Sequence, residues 1–170
     1  MRFKSTYPDV IIVGAGITGC ATALALAEAG AKVEVIESYY AGAMASGWTL
    51  AGVRQSGRDP AELELSMAAV KIWETLDAYL DTTTGYRQMG NLRLARTEDE
   101  TQVIRDLVKL QAANGLPIEL LDIKEAHNIV PALSDEILLA SFCPTDGHAD
   151  PLRSVEGFQK AAERLGVTFR

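Results

Sequence analysis

The chain has 170 residues, enough for one ordinary domain with a core, and its 48% hydrophobic and 23% charged residues argue against a disordered polymer. A net charge of −7 argues against a nucleic-acid surface, because phosphate contacts need clustered Lys and Arg. The two cysteines, Cys20 and Cys143, stand outside any CxxC pair, which argues against a disulfide framework or a structural zinc and makes a reducing cytoplasm the expected location.

In chain order, residues 9–13 form a β-branched run that predicts a strand buried on both faces, as in a parallel sheet. Residues 14–19 predict a turn. Residues 17–29, rich in Ala and Leu, predict a helix that Gly30 stops. Residues 31–37 predict a second strand, so the order strand, helix, strand within about 30 residues makes a βαβ unit with a right-handed crossover. The uncharged run 10–27, preceded by Arg2 and Lys4, also fits an export signal or a short membrane span. Asp9 at its edge and the ordered glycines inside it count against that reading, and no membrane span is expected.

Residues 39–57 read as an irregular segment, too apolar and aromatic for a solvated linker. Pro60 starts a helix that runs to about Leu80. Its apolar residues Leu63, Leu65, Met67, Val70, Ile72, Trp73, Leu76, Tyr79 and Leu80 predict a broad buried stripe. Residues 86–95 predict a strand pair, or one strand broken near Gly90 and Asn91. Thr97 then caps a helix, with Glu100 completing a capping box and Asn114-Gly115 ending it. A strand over 117–121, a short helix from Asp122 through His127 stopped by Pro131, and a strand over 137–143 follow. Pro151 opens a helix that Gly166 ends, and residues 167–169 begin a last strand. One βαβ unit does not complete a doubly wound sheet, so the chain reads as the N-terminal portion of a longer protein.

Gly14-Ala15-Gly16-Ile17-Thr18-Gly19 matches G-x-G-x-x-G, and each glycine has a mechanical task. The first permits the tight turn out of the strand, the second lets a pyrophosphate approach the backbone, and the third lets the helix pack close to the strand. The helix N-terminus offers free N–H groups and the positive end of its dipole. Glu37 follows about 20 residues on, where an acid accepts hydrogen bonds from the adenosine ribose. Together these indicate a dinucleotide but do not choose between NAD and FAD. The long irregular segment and the second mixed module that follow suit FAD, whose flavin must be wrapped.

The stretches DVIIVGAGITGCATALALAEAGAKVEVIE, ASGWTLAGVRQSG, GNLRLA and FCPTDGHADP resemble the D-amino-acid oxidase superfamily of FAD-dependent amine oxidoreductases. Within it they are similar to the β-subunits of sarcosine oxidase and of opine oxidase or hydroxyproline dehydrogenase. The resemblance implies an α/β fold: a Rossmann-like FAD-binding βαβ unit followed by the start of a mixed α+β substrate domain. It implies an FAD-binding first segment over 1–84, a substrate-domain portion over 85–143 and a return to the FAD domain over 144–170. FAD would be bound noncovalently by Gly14, Ala15, Gly16, Ile17, Thr18, Gly19, Glu37 and Ser38. Ser46 and Gly47 would meet the pyrophosphate, and Ala51, Gly52, Val53 and Arg54 would line the flavin ring.

The implied reaction is hydride transfer from the α-carbon of a small amine or secondary amino acid, sarcosine-, proline- or opine-like. The implied partners are that substrate and further subunits of a hetero-oligomeric oxidoreductase. The family's main substrate residues and its second FAD-binding stretch lie farther along the chain, so the catalytic residues are unassigned. Arg54 is the foremost functional charge, for the reduced flavin or a substrate carboxylate, weighed evenly against a surface Arg. Trp48 is weighed between packing over the cofactor and a core aromatic, with the core reading favoured. His148 is weighed between a catalytic base and a structural loop, with the loop favoured, and Asp146 reads as part of that loop. Asp150 reads as a helix cap, His127 as a surface residue and Cys20 as a packed side chain. Two alternatives to the enzyme stay open: an NAD-dependent dehydrogenase, and a non-catalytic FAD-binding subunit or truncated product.

Overall fold

A computed structural model describes residues 7–170, so Arg2 and Lys4 of the export reading lie outside the described residues. These residues divide into two compact units. The first runs up to Ala51 and adds Thr75–Tyr86 and Ala149–Arg170; the second is Gly52–Glu74 with Arg87–His148.

The first unit is built on the βαβ motif. Strand β1 (Val10–Val13) pairs parallel with β2 (Val33–Ile36), from Val10 opposite Val33 to Val13 opposite Ile36. Helix α1 (Ile17–Glu28) connects them. Strand β8 (Thr168–Phe169) joins β2 on its other side, also parallel, and gives the order β1-β2-β8. Helix α5 (Pro151–Arg164) packs beside α1, with Cys20 and Ala23 buried on α1 and Ala161 and Ala162 buried on α5, while Gly157 faces Leu80 and Thr82.

Burial of β1 on both faces is not found. Ile11 is 56% and Val13 86% exposed, and Ile36 shares their side of the sheet. Alternate residues of a strand point to opposite faces, and among the described residues α1 and α5 cover only one of them.

Helix α2 (Pro60–Leu80) begins in the second unit, and its last turns from Thr75 belong to the first. Its buried stripe is narrower than its composition suggests. Leu63, Val70, Leu76 and Leu80 are buried, whereas Leu65, Ile72 and Tyr79 are exposed. Those three recur every second turn, so they share one line on the outer side of the helix.

The second unit holds an antiparallel sheet of β4 (Asn91–Ala95), β6 (Leu139–Cys143) and β5 (Glu119–Leu121), with β6 central. A two-stranded ribbon pairs β3 (Gly52–Val53) with β7 (Gly147–His148). Helix α3 (Glu98–Ala113) closes a core of Leu63, Ala95, Ile104, Val108, Leu116, Ile118, Leu139 and Cys143. The stretch before β4 forms no second strand; Arg87 makes a single bridge to His148.

Helix caps follow the sequence closely. Thr97 accepts from Glu100 N at the start of α3, but the Glu100 side chain returns to Arg96 N at 2.7 Å instead of to Thr97. Asp122 and Glu125 form a complete capping box at α4 (Ile123–Ile129), and Asp150 caps α5 ahead of Pro151. No described helix is long and apolar enough to cross a membrane.

Candidate functional site: a glycine turn at the head of a parallel strand

Strand β1 ends in a turn that only glycine accepts easily: Gly14 has φ +102°, and its N–H donates to Ile36 O at 2.8 Å. A side-chain carbon at Gly19 would sit 2.0 Å from the Gly14 carbonyl oxygen, so a larger residue there would push α1 off the turn. The first bond of the helical ladder is Cys20 N to Gly16 O at 3.0 Å. The amides of Ile17, Thr18 and Gly19 therefore precede the ladder at the positive end of the helix, whose first turn contains no acid. Ile17 N donates to Ser46 Oγ at 3.0 Å, which brings the 42–47 loop onto the helix N-terminus.

Glu37 closes the other side. One carboxylate oxygen accepts from Ala15 N at 2.8 Å; the other accepts from Tyr39 N at 3.1 Å and from Ser38 Oγ at 3.2 Å. These bonds, that from Ala15 foremost, hold the carboxyl below the usual glutamate range. Glu37 N donates to Arg170 O at 2.7 Å, so β8 steadies the strand end that carries it.

Gly42 was not singled out by the sequence, yet it docks the loop: its N–H donates to Ala15 O at 2.9 Å. Gly47 then packs on the Gly42 carbonyl, where a side-chain carbon would come within 2.2 Å. The available signal was spacing, since Gly42 and Gly47 stand as far apart as Gly14 and Gly19. The result is a cavity of ≈ 240 Å³ lined by Gly14, Gly16, Glu37 and residues 42–46. Its glycine floor, the Thr18 and Gly19 amides and the anchored acid fit the phosphates and ribose of a dinucleotide.

The remaining expected cofactor residues divide between the units. Ala51 belongs to the first and has an unusual φ of +63° for a residue with a side chain. Gly52, Val53 and Arg54 belong to the second, where they line a cavity of ≈ 440 Å³ with Arg58, Glu62 and Trp73. Trp48 is 80% exposed, so the core reading fails; its loop neighbour Leu50 is fully exposed, and no described residue covers that segment.

Asp146 explains the FCPTDGHADP stretch. It is fully buried, and its Oδ1 accepts from Gln55 N at 2.7 Å and Gln55 Nε2 at 3.4 Å. Its Oδ2 accepts from Ser56 N at 3.3 Å and from the Ser56 hydroxyl. His148 is exposed and pairs with Arg87 through both backbone groups, as a structural loop requires. His127 is half-buried, not a surface residue, with Nε2 3.4 Å from Asp135 Oδ1. It sits on the last turn of α4, within reach of the exposed Asp135. The Cys20 thiol is buried against Ala15 O and pushed up to about 11, by burial first and by Glu163 and Glu37 second.

Comparison with known proteins fits this geometry. The family profile described as "FAD dependent oxidoreductase" (DAO) matches residues 9–170. An opine oxidase subunit of Agrobacterium tumefaciens (strain Ach5) is 28% identical over 173 residues, covering 95% of this chain and 47% of that protein. The crystal structure of L-proline dehydrogenase from P. horikoshii superposes with a TM-score of 0.86 at 29% identity, covering 95% of this chain and 43% of that one. Glycine oxidase from Bacillus cereus ATCC 14579 superposes with a TM-score of 0.87 at 29% identity, covering 96% and 46%. The chain thus spans about half the length of the relatives it matches. With the glycine turn, the anchored acid and the family profile in agreement over nearly its whole length, the chain belongs to the DAO family of FAD-dependent oxidoreductases, and its dinucleotide is FAD.

Proposed function

We propose that this chain supplies the ADP-binding part of an enzyme that oxidises the α C–N bond of an amine or secondary amino acid, sarcosine-, proline- or opine-like. The observation that carries the reading is the glycine turn with Glu37 bonded across it at 2.8 Å and Ser46 on its helix amide at 3.0 Å. The names of the relatives, which concern an opine, proline and glycine, support the substrate class.

Gly14, Ala15, Gly16 and the amides of Ile17, Thr18 and Gly19 hold the pyrophosphate noncovalently, with Ser46 and Gly47 on its other side. Glu37 and Ser38 take the ribose. Ala51, Gly52, Val53 and Arg54 line the flavin ring. When bound, FAD would supply the two-electron acceptor for hydride removal from the substrate α-carbon, and water would hydrolyse the imine so formed to a carbonyl compound and an amine. Arg54, exposed at the rim of its cavity, supplies positive charge for a carboxylate.

On this reading residues 1–84 are the first FAD-domain segment, 85–143 the start of the substrate domain and 144–170 the return to the FAD domain. The return of the first unit at Ala149 supports the last of these boundaries, whereas Gly52–Glu74 groups with the second unit. The opine oxidase relative is itself named as one subunit of its enzyme, which supports a hetero-oligomer. Two free buried cysteines support a cytoplasmic location.

The test is anaerobic mixing of the FAD-loaded protein with a panel of secondary amino acids, following the flavin absorbance. Bleaching by at least one is expected. If no sarcosine-, proline- or opine-like amine bleaches it, the enzyme reading is lost and a non-catalytic FAD-binding subunit remains.

A further inference from the structure

Two arginines of the second unit converge on one point beside Gly57. Gly57 has φ +71°, a turn conformation that disfavours side chains, and its N–H donates to the buried Gln111 side chain at 3.1 Å. A side-chain carbon at Gly57 would lie 2.9 Å from Arg93 Nη1 and 3.6 Å from Arg54 Nη1. The two guanidinium groups therefore flank the same small volume.

Neither has a carboxylate. Arg58, in the same turn, is paired with Glu62 at 3.7 Å, but among the described residues no ion pair reaches Arg54 or Arg93. Acids outnumber bases in this chain, 23 to 16, so two unpaired arginines side by side do not follow from a basic surface. Like charges at short range disfavour each other unless an anion joins them.

Both backbones are held. Arg93 is in the middle of β4, in register with Ser141 of β6. Arg54 lies between Val53 of the β3–β7 ribbon and Gln55, whose N–H the buried Asp146 accepts at 2.7 Å.

We propose that Arg54 and Arg93 form a two-point site for a dianion. Resting on the reading above, the substrate is then a secondary amine carrying two carboxylates, an N-carboxyalkyl amino acid. Each guanidinium offers a planar fork that takes one carboxylate through two hydrogen bonds. A monocarboxylate neutralises only one of the two charges, whereas a dicarboxylate neutralises both. Trp73, Leu65 and Val70 in the ≈ 440 Å³ cavity beside Arg54 offer apolar surface to the carbon skeleton.

Calorimetric titration tests the site without turnover. The probes are iminodiacetate, with two carboxylates and an amine; glutarate, with the same span and no amine; and N-methylglycine, with one carboxylate. Both dicarboxylates should bind on the order of tenfold more tightly than N-methylglycine. Arg93→Gln should erase that advantage and leave N-methylglycine unchanged, whereas Arg54→Gln should weaken all three. Arg93→Lys keeps the charge without the fork and should restore only part of the advantage. Both side chains are exposed, so the variants should keep the wild-type circular dichroism.

Equal affinity for one and two carboxylates, or an advantage that survives Arg93→Gln, overturns the site. Glutarate bound through Arg93 in a protein whose flavin no amine reduces would sustain the anion site and remove only the oxidoreductase reading. Flavin reduction by a monocarboxylate amine, with no preference for dianions, would do the reverse.

Discussion

At the scale of single residues, Glu37 does more than terminate a strand. Its carboxylate spans from Ala15 N to Tyr39 N, so it organises the glycine turn as well as the strand end that carries it. Replacing it with Ala should weaken ADP or FAD binding on the order of tenfold or more, measured by calorimetry. The pH dependence has a defined sign. The folded-state pKa lies below the ordinary 4.5, so the contribution of Glu37 is complete above that value and is lost as the pH falls through the lower folded value. Binding of ADP should therefore hold steady down to about 4.5 and fail only in stronger acid.

Asp146 makes the complementary point. It reads as part of a structural loop in the sequence, and its full burial and bonds to Gln55 and Ser56 show what it holds together. Asp146→Asn places an amide donor against donors and should cost about 2–3 kcal/mol, read as a lower denaturant midpoint. If stability is unchanged, the buried network contributes nothing and the structural assignment fails.

At the scale of elements, the close packing of α1 on the end of β1 depends on one missing side chain. Gly19→Ala would set a carbon 2.0 Å from the Gly14 carbonyl. The helix must move, the amides of Ile17 and Thr18 lose their aim, and FAD binding should fall below detection in a flavin-fluorescence titration even where the fold survives. Helix α5 offers a milder test. Asp150 caps it by accepting from Arg153 N at 3.0 Å, and Asp150→Ala should cost about 1 kcal/mol in thermal or chemical unfolding.

At the scale of the molecule, both thiols are withdrawn from chemistry. Cys20 and Cys143 are buried, and burial raises the pKa of each, Cys20 to about 11. Native protein near pH 7 should resist a thiol reagent that labels both sites once urea unfolds the chain; rapid native labelling would contradict the burial. Because both pKa values are raised above 9.0, the thiols favour the fold fully below that value. Their contribution is lost as the pH rises through the folded values.

Local signals were enough to read the element order, the caps and the dinucleotide turn. Pro60 and Pro151 mark helix starts, Thr97, Asp122 and Asp150 cap, and Gly14, Gly16 and Gly19 shape a turn through backbone sterics that act within a few residues. Long-range pairing was not legible in the same way. Nothing local announces that Gly42 docks on Ala15, that Asp146 accepts from Ser56, or that Arg93 comes beside Arg54, because each contact joins segments far apart in the chain. Burial also escaped the sequence for a physical reason. A β-branched strand such as β1 and an apolar residue such as Leu65 or Trp48 carry the same composition whether covered or bare, and only the placement of neighbouring elements determines which faces meet water.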